Sequence, residues 1–319
     1  MTFWIFAATI TLSAFAFVTL VSSAAISWLA PTVADRLERY TAASRASLLF
    51  RLRLAPALLA TFVALGIALP IFLAYEPRES DEALSRTLIV LAAAGVAIVM
   101  RAAWRAIAAW RATEAVRREW LARGRRLTAA DGFETALPLF AIDESFPTVA
   151  VIGVSRPTLF VSERVLRECT ADEVRVMLRH EAAHVAVGDN LKRFAIRACP
   201  DAILRGSALD RAWAMAAEEA ADAAAVAGRP SSALELAEAL IRVARLAPAR
   251  TPELASAFYL GGSIESRIRR LISPLPAPEA PTPFGCVMLL GGGLSMLALI
   301  VASAPLLHQV METLVSRLP

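Results

Sequence analysis

The sequence predicts a mainly α-helical membrane protein, with four transmembrane helices and one polar α+β domain between the third helix and the fourth. Of its 319 residues, 57% are hydrophobic and only 19% are charged. Its mean hydropathy is +0.55, and its apolar residues gather in long uncharged runs at both ends, around a charged middle. Because an α-helix needs about 20 apolar residues to cross a bilayer, these runs predict membrane spans.

The N-terminal run is the first predicted span. No charged residue occurs from Met1 to Ala34. A cleaved signal peptide would begin with a positively charged segment, and this terminus has none. The run therefore favours a membrane span over a leader that is removed.

Three further runs are predicted to span the membrane. The second covers residues 54–75, and the third covers residues 86–104, with arginines near its ends that can reach the lipid headgroups. The fourth covers residues 284–307 and follows a proline-rich stretch at 274–283, which predicts a stiff linker. A buried soluble helix is the alternative for any one run, but four such helices are difficult to bury in a chain of this size.

The distribution of arginine predicts the orientation of these spans. Residues 31–53 carry five arginines and residues 101–126 carry eight, whereas residues 76–86 carry two arginines against four acidic residues. An excess of Lys and Arg marks the cytoplasmic side of a multi-pass protein. We therefore expect a protein of the cell (inner) membrane, with its first loop and central domain cytoplasmic and both termini external.

These boundaries divide the chain into five parts. We expect residues 1–126 to hold three transmembrane helices, a basic cytoplasmic loop and a basic juxtamembrane helix, and residues 127–273 to form the cytoplasmic domain. The linker at 274–283, the fourth span at 284–307 and a short external tail at 308–319 complete the chain.

The charge balance bears on possible partners. The formal net charge is +4, and a basic protein can bind nucleic acid. Because many arginines lie beside the apolar runs, the lipid bilayer is the better partner, and no direct nucleic-acid binding is expected. The three cysteines are far apart and form no CxxC pair, so neither a disulfide framework nor a cysteine zinc site is supported.

The central domain is predicted to combine a small β-sheet with helices. Residues 139–142, 148–154 and 158–161 have the β-rich composition of short strands. Thr170 and Glu173 have the spacing of a capping box at a helix N-terminus. Alanine-rich segments predict helices at 171–187, 208–227, 231–246 and 263–272.

One pentapeptide carries the strongest chemical signal, His180-Glu181-Ala182-Ala183-His184, and it lies inside the helix predicted at 171–187. Residues at positions i and i+4 share one helical face, so both imidazoles can reach one metal ion. Glu181 can then accept a proton from a water molecule that zinc activates. The alternative is a pair of histidines on a helix surface beside an unrelated glutamate.

A catalytic zinc site usually has three protein ligands. His308 lies beyond the last predicted span, so we expect the third ligand to be a carboxylate from residues 217–222. Glu218 and Asp222 are four residues apart, which allows Glu218 to bind zinc while Asp222 holds one of the histidines. Spacing alone leaves the choice between Glu218 and Glu219 open, and a solvated acidic helix face is the alternative.

The HEAAH segment followed by the EEAAD segment resembles the gluzincin peptidases, which combine HExxH with ExxxD. Alignment of Asp222 with the aspartate of that motif implies that Glu218 is the zinc ligand. Asp189, five residues after His184, also matches a recurring position, as does the segment 153–162. In related enzymes such a strand borders the cleft and pairs with an extended substrate.

Two families share these features, the M56 family of BlaR1/MecR1-like peptidases and the M48 family of Ste24/HtpX-like peptidases. Three spans, a cytoplasmic zinc domain and one further span resemble M56. That resemblance implies one Zn²⁺ ion, with His180, His184 and Glu218 as ligands and Glu181 as the catalytic base. The expected substrate is a cytoplasmic protein, a DNA-binding transcriptional repressor of a signalling pathway, whose proteolysis relieves repression.

The chain also departs from the BlaR1-like pattern, because only about a dozen residues follow the last predicted span. The extracellular penicillin-binding sensor is therefore not expected. An M48-like quality-control protease for membrane proteins and a non-catalytic zinc-binding membrane scaffold are the alternatives, and Glu181 favours an enzyme over a scaffold. Tyr259 and Arg267 are candidates for an oxyanion donor that the sequence does not assign.

Overall fold

The computed structural model describes residues 3–76, 84–144, 146–201, 208–227, 229–246 and 264–273. Within these residues the protein is mainly helical and contains one four-stranded sheet. The predicted linker at 274–283, the fourth span at 284–307, the tail at 308–319 and Tyr259 lie outside the described residues.

Three long apolar helices form the N-terminal part: α1 (Phe3–Leu37), α2 (Ala42–Tyr75) and α3 (Arg86–Arg123). Each is long and apolar enough to cross a membrane, in agreement with the first three predicted spans. Helix α1 packs against both α2 and α3. Gly95 allows α3 to approach α1 closely, because a Cβ atom at this position would lie 2.5 Å from the carbonyl oxygen of Leu12 in α1.

Helix α3 continues far beyond its apolar stretch, but it stops before the predicted end at residue 126. It ends at Arg123, where the extended backbone of Gly124 turns the chain. The next three residues form β1 (Arg125–Leu127) instead of a last helical turn. The prediction of a helix over 101–126 is therefore wrong for its last residues, because pairing with the sheet overrides the local helical pattern.

The sheet contains β1, β2 (Leu139–Ile142), β3 (Val149–Ile152) and β4 (Thr158–Ser162), in the order β1-β2-β4-β3. Strands β2 and β4 are parallel, and the other two pairs are antiparallel. The three predicted strands are confirmed, and β1 is an addition. This order leaves β3 at the edge of the sheet, and one side of its backbone has no strand partner among the residues that the structure describes.

Six helices are described after the sheet. The capping box predicted at Thr170 and Glu173 is present at the start of the helix that carries the HEAAH segment. A short helix that begins after Gly188, whose φ is +71°, was not predicted. The six are α4 (Glu163–Glu168), α5 (Ala171–Ala186), α6 (Asp189–Ala198), α7 (Ala208–Val226), α8 (Pro230–Leu246) and α9 (Ile264–Ile272).

The two motif helices share one small cluster, through Val176 and Ala225, but each also packs on a different part of the protein. Helix α5 packs on the sheet, where its Val174 and Met177 join Leu159 and Val161. Helix α7 packs instead on the polar ends of α1 and α2, in a cluster that includes Ala30, Leu49, Leu209, Trp213 and Ala217. Because α5 and α7 also contact each other, the HEAAH and EEAAD segments meet between the sheet and the membrane helices.

Two arginines of the basic loop predicted at residues 31–53 are buried inside the protein. Arg53 of α2 pairs with Asp201 at 2.7 Å and with Asp210 at 2.6 Å. Arg45, on the same helix, pairs with Glu219. The basic loop predicted over residues 31–53 is in large part helix, and these ion pairs attach α7 and the segment before it to α2.

Candidate metal centre

Helix α5 places His180 and His184 one turn apart on the same buried face. Their rings meet edge to face, with centroids 4.8 Å apart. The two Nε2 atoms face each other at 3.2 Å. The predicted pairing of the two imidazoles is therefore present in the structure.

Helix α7 brings Glu218 to the same point. Its Oε2 lies 3.4 Å from Nε2 of His180, and its Oε1 lies 3.5 Å from Nε2 of His184. Glu219 turns away from the histidines and contacts Arg45 and Arg270. The choice that spacing left open thus has a geometric answer, because only Glu218 of the two glutamates faces the imidazoles.

The three side chains could together hold one metal ion. One ligand atom from each of His180, His184 and Glu218 can be chosen so that all lie within 4.8 Å of one another, and all three residues are buried. Nitrogen and oxygen ligands of one zinc ion, at about 2.0–2.2 Å from the metal, lie about 3.3–3.5 Å apart in a tetrahedron. The two Nε2 atoms lie 3.2 Å apart, and they lie 3.4 and 3.5 Å from different oxygens of Glu218, so each pairwise separation is close to that spacing.

Each histidine is oriented through its other ring nitrogen. Nδ1 of His184 lies 2.8 Å from Oδ2 of Asp189, whose other oxygen accepts a hydrogen bond from Lys192 at 3.0 Å. Nδ1 of His180 lies 2.9 Å from Oδ1 of Asp222, at an angle outside hydrogen-bond geometry. A carboxylate at Nδ1 leaves Nε2 to bind a metal, and Asp189 and Asp222 each lie beside one histidine in this way.

Arginines hold the two carboxylates of α7. Arg267 donates two hydrogen bonds to Asp222, at 2.7 and 2.6 Å, and also lies 3.2 Å from Glu218. Arg193 of α6 donates to the other oxygen of Glu218 at 2.9 Å. A carboxylate offers about four lone-pair directions, so Glu218 retains the capacity to bind a metal beside both arginines.

The ionisation of the centre follows from these contacts. Burial opposes the charged form of His180, but its contacts with Asp222 and Glu218 outweigh burial and raise the pKa of His180 to about 9. Burial alone would raise the pKa of Glu218, yet the two histidines hold that pKa well below its usual value. The centre therefore holds an ionised carboxylate beside imidazoles that must lose a proton before they bind a divalent cation.

Glu181 lies between this cluster and the edge of the sheet. Its Oε2 accepts a hydrogen bond from the backbone N–H of Val151 at 3.1 Å. The side chain of Asn190 donates to the carbonyl oxygens of Val151, at 3.2 Å, and of Gly153, at 3.0 Å. The outer edge of β3 thus runs past the side chain expected to act as a base, and the side chains of Glu181 and Asn190 bond its backbone.

Three contributors to this site were missed or left unassigned at the level of sequence. Asn190 and Arg193 lie on the unpredicted helix α6, and no spacing pattern marks them. Arg267 was a candidate oxyanion donor, and in the structure its guanidinium is engaged by Asp222 and Glu218. The clue available in the sequence was the position of α6 directly after the HEAAH helix.

Comparison with known proteins adds no assignment. Neither a scan against protein-family models nor a search of curated proteins found a match for this chain. The functional argument therefore depends on the residues of the site.

Proposed function

We propose that this chain is a membrane-anchored zinc metallopeptidase that resembles the M56 family and hydrolyses peptide bonds of a cytoplasmic protein. The observation that carries the proposal is the buried group of His180, His184 and Glu218, with Glu181 beside it at the edge of the sheet. Three apolar helices are compatible with membrane anchoring. The cytoplasmic placement of the domain, the fourth span and the external termini are part of the proposal.

Each residue of the centre has a distinct task. His180 and His184 would hold zinc through Nε2, because their Nδ1 atoms face Asp222 and Asp189, and Glu218 would supply the third ligand. When bound, zinc supplies Lewis-acid chemistry that activates water and polarises the scissile carbonyl. Glu181 accepts a proton from the attacking water and passes it to the amine nitrogen as the C–N bond breaks.

The substrate is proposed by class. By its resemblance to M56, we expect a DNA-binding transcriptional repressor whose cleavage transmits a signal. An M48-like enzyme would instead remove misfolded membrane proteins. An M56-like enzyme would cleave one defined soluble repressor, whereas an M48-like enzyme would degrade many membrane proteins, so the range of cleaved proteins distinguishes the two.

A second candidate is a non-catalytic membrane scaffold that binds zinc only for its structure. One observation favours it: Arg193 and Arg267 contact the two oxygens of Glu218 and leave the centre well enclosed. Glu181 favours the enzyme, because a purely structural site has no use for a general base at the edge of a free strand.

The test measures peptide hydrolysis by the full-length protein in lipid nanodiscs. Wild type is incubated with a mixture of random decapeptides, and new termini are identified by mass spectrometry. We expect Glu181→Gln to lower the rate by at least about 100-fold while zinc content is kept, and an exposed glutamate on α4 provides the matched control, Glu168→Gln. Zinc content without hydrolysis in the wild type favours the scaffold.

A further inference from the structure

A cavity of about 280 Å³ opens between the polar half of α3 and the turn that joins β3 to β4. We call it the arginine pocket, after Arg117, Arg118 and Arg156, which line it together with Trp110, Glu114 and Gly153. This volume lies near the lower end for small-molecule sites, which are about 300–1,000 Å³. It therefore suits a single side chain better than a cofactor.

The charge of the pocket favours an anionic group. Glu114 is the only acidic residue among its lining residues, and it accepts hydrogen bonds from both Arg117, at 2.9 and 2.7 Å, and Arg118, at 3.0 Å. Each guanidinium has five N–H donors, so this shared carboxylate leaves several of them unused. Arg156 is exposed, and its side chain makes no ion pair with any residue that the structure describes.

The pocket continues the outer edge of β3. Val151 contacts Glu181 through its N–H, and two residues later Gly153 lines the pocket. A strand rises about 3.3 Å per residue, so the pocket begins about 7 Å beyond the Glu181 contact. The Cδ atom of Arg117 lies 3.3 Å from the position that a Cβ atom on Gly153 would take, which places an arginine directly over the end of the strand.

We propose that the arginine pocket binds a carboxylate side chain, Asp or Glu, of an extended peptide two or three residues from the bond that is cut. The inference rests on the proposed peptidase function, and it specifies the substrate class. A peptide that replaces the contacts of Glu181 and Asn190 with the β3 backbone, and has a carbonyl near Glu181, places a side chain two or three residues away at the pocket. The guanidinium groups then bind its carboxylate through charge-assisted hydrogen bonds.

A lipid phosphate is a less suitable occupant. The apolar stretch of α3 ends at Arg101, and Glu114 lies 13 residues further along the helix. At 1.5 Å per residue the pocket is about 20 Å beyond that end, whereas the headgroup layer on each side of a bilayer is about 5–8 Å thick. An upright α3 therefore carries the pocket past the headgroups.

Peptide binding tests the pocket independently of hydrolysis. Three random decapeptide mixtures carry Glu, Gln or Lys at one fixed central position, and their affinities are measured for the zinc-loaded Glu181→Gln protein in nanodiscs of neutral lipid. We expect the Glu mixture to bind about tenfold more tightly than the Gln mixture. Arg156→Glu should abolish this preference, and Arg118→Gln should weaken it, which provides a second variant if the first does not fold.

The matched control is Arg126→Glu, the same charge reversal on β1 at the opposite edge of the sheet. This variant should keep the preference for the Glu mixture.

Equal binding of the Glu and Gln mixtures, or a Glu preference that survives Arg156→Glu, overturns the proposal. The proposal is also overturned if Arg156→Glu leaves peptide binding unchanged and alters only the binding of the protein to anionic lipid, because the pocket would then bind lipid headgroups. If the protein prefers the Glu mixture but the wild type hydrolyses no peptide, the proposed peptidase function is wrong. If the wild type hydrolyses peptides but shows no preference for Glu, only the proposed role of the arginine pocket is wrong.

Discussion

Arg45 of the second membrane helix forms a buried ion pair with Glu219, the residue next to Glu218 in the candidate metal centre. Arg270 of α9 also contacts Glu219, at 2.6 Å. One glutamate of the EEAAD segment therefore faces the histidines, and its neighbour attaches the same helix to α2. The position of the expected third ligand therefore depends on a contact with α2, a helix long and apolar enough to cross a membrane.

Removal of Arg45 is expected to weaken both the fold and the metal site. Loss of one partner of a buried ion pair costs about 3–5 kcal/mol, and we expect the lower end because Arg270 still contacts Glu219. The free energy of unfolding of Arg45→Met is measured in detergent, with zinc affinity measured beside it. Arg51→Met, an exposed change on the same helix, should alter neither, and an unchanged zinc affinity in Arg45→Met would contradict the coupling.

Replacement of Asn190 by Asp is expected to release the edge strand. The amide of Asn190 donates hydrogen bonds to two carbonyl oxygens of the β3 edge, whereas an ionised aspartate cannot donate and places its charge against those oxygens. We expect a loss of about 1–3 kcal/mol in the free energy of unfolding. We also expect faster exchange of the backbone amide hydrogens of residues 149–153 only, which mass spectrometry measures. Exchange that stays at the wild-type rate would show that Asn190 does not hold the strand.

Gly153→Ala is expected to disturb the turn at the arginine pocket. Gly153 has a φ of +111°, and an added Cβ atom would lie 2.5 Å from the carbonyl oxygen of Arg156. Gly132→Ala is the control, because its φ is +87° but nothing lies within 4 Å of the added atom. We expect unfavourable backbone conformation to cost about 1–3 kcal/mol at either site, with a further loss only at Gly153. Equal losses of stability in the two variants, measured by thermal unfolding, would show that the close contact at Gly153 has no effect of its own.

Zinc binding is expected to strengthen with rising pH. The pKa of His180 is raised to about 9 by Asp222 and Glu218 against the effect of burial, so below that pH zinc must displace a proton from the imidazole. Affinity should therefore rise by up to about tenfold per pH unit between pH 6 and pH 8 for each proton displaced. Calorimetry in buffers with different ionisation enthalpies measures the protons released. Affinity that stays constant across this range would contradict the assignment of His180 as a ligand.

Local patterns in the sequence predicted much of the fold and most of the centre. The uncharged runs marked three helices, the capping box marked the start of α5, and the i, i+4 spacing placed His180 and His184 together. These features depend on neighbours within a few residues of one another. Pattern alone could not choose Glu218 over Glu219, because both lie on one helix and the answer depends on how α7 packs against α2 and α5.

The features that sequence did not predict depend on long-range contacts. Strand β1 forms because β2 offers a pairing edge, although the preceding residues continue a helical pattern. Arg53 had the sequence context of an interfacial arginine, but its partners Asp201 and Asp210 lie about 150 residues away in the chain. The roles of Asn190 and Arg193 likewise became apparent only when α6 was placed beside β3 and α7.

The zinc content of a matched pair of variants tests the assignment of Glu218 as the third metal ligand. The full-length protein and its Glu218→Gln and Glu219→Gln variants are purified in detergent, and bound metal is measured by mass spectrometry of the ions. We expect about one zinc per chain in the wild type, weakened but retained zinc in Glu219→Gln, which loses only the charged contact with α2 and α9, and no zinc in Glu218→Gln. A wild type without zinc, or a Glu218→Gln variant that keeps it while Glu219→Gln loses it, would contradict the centre described above.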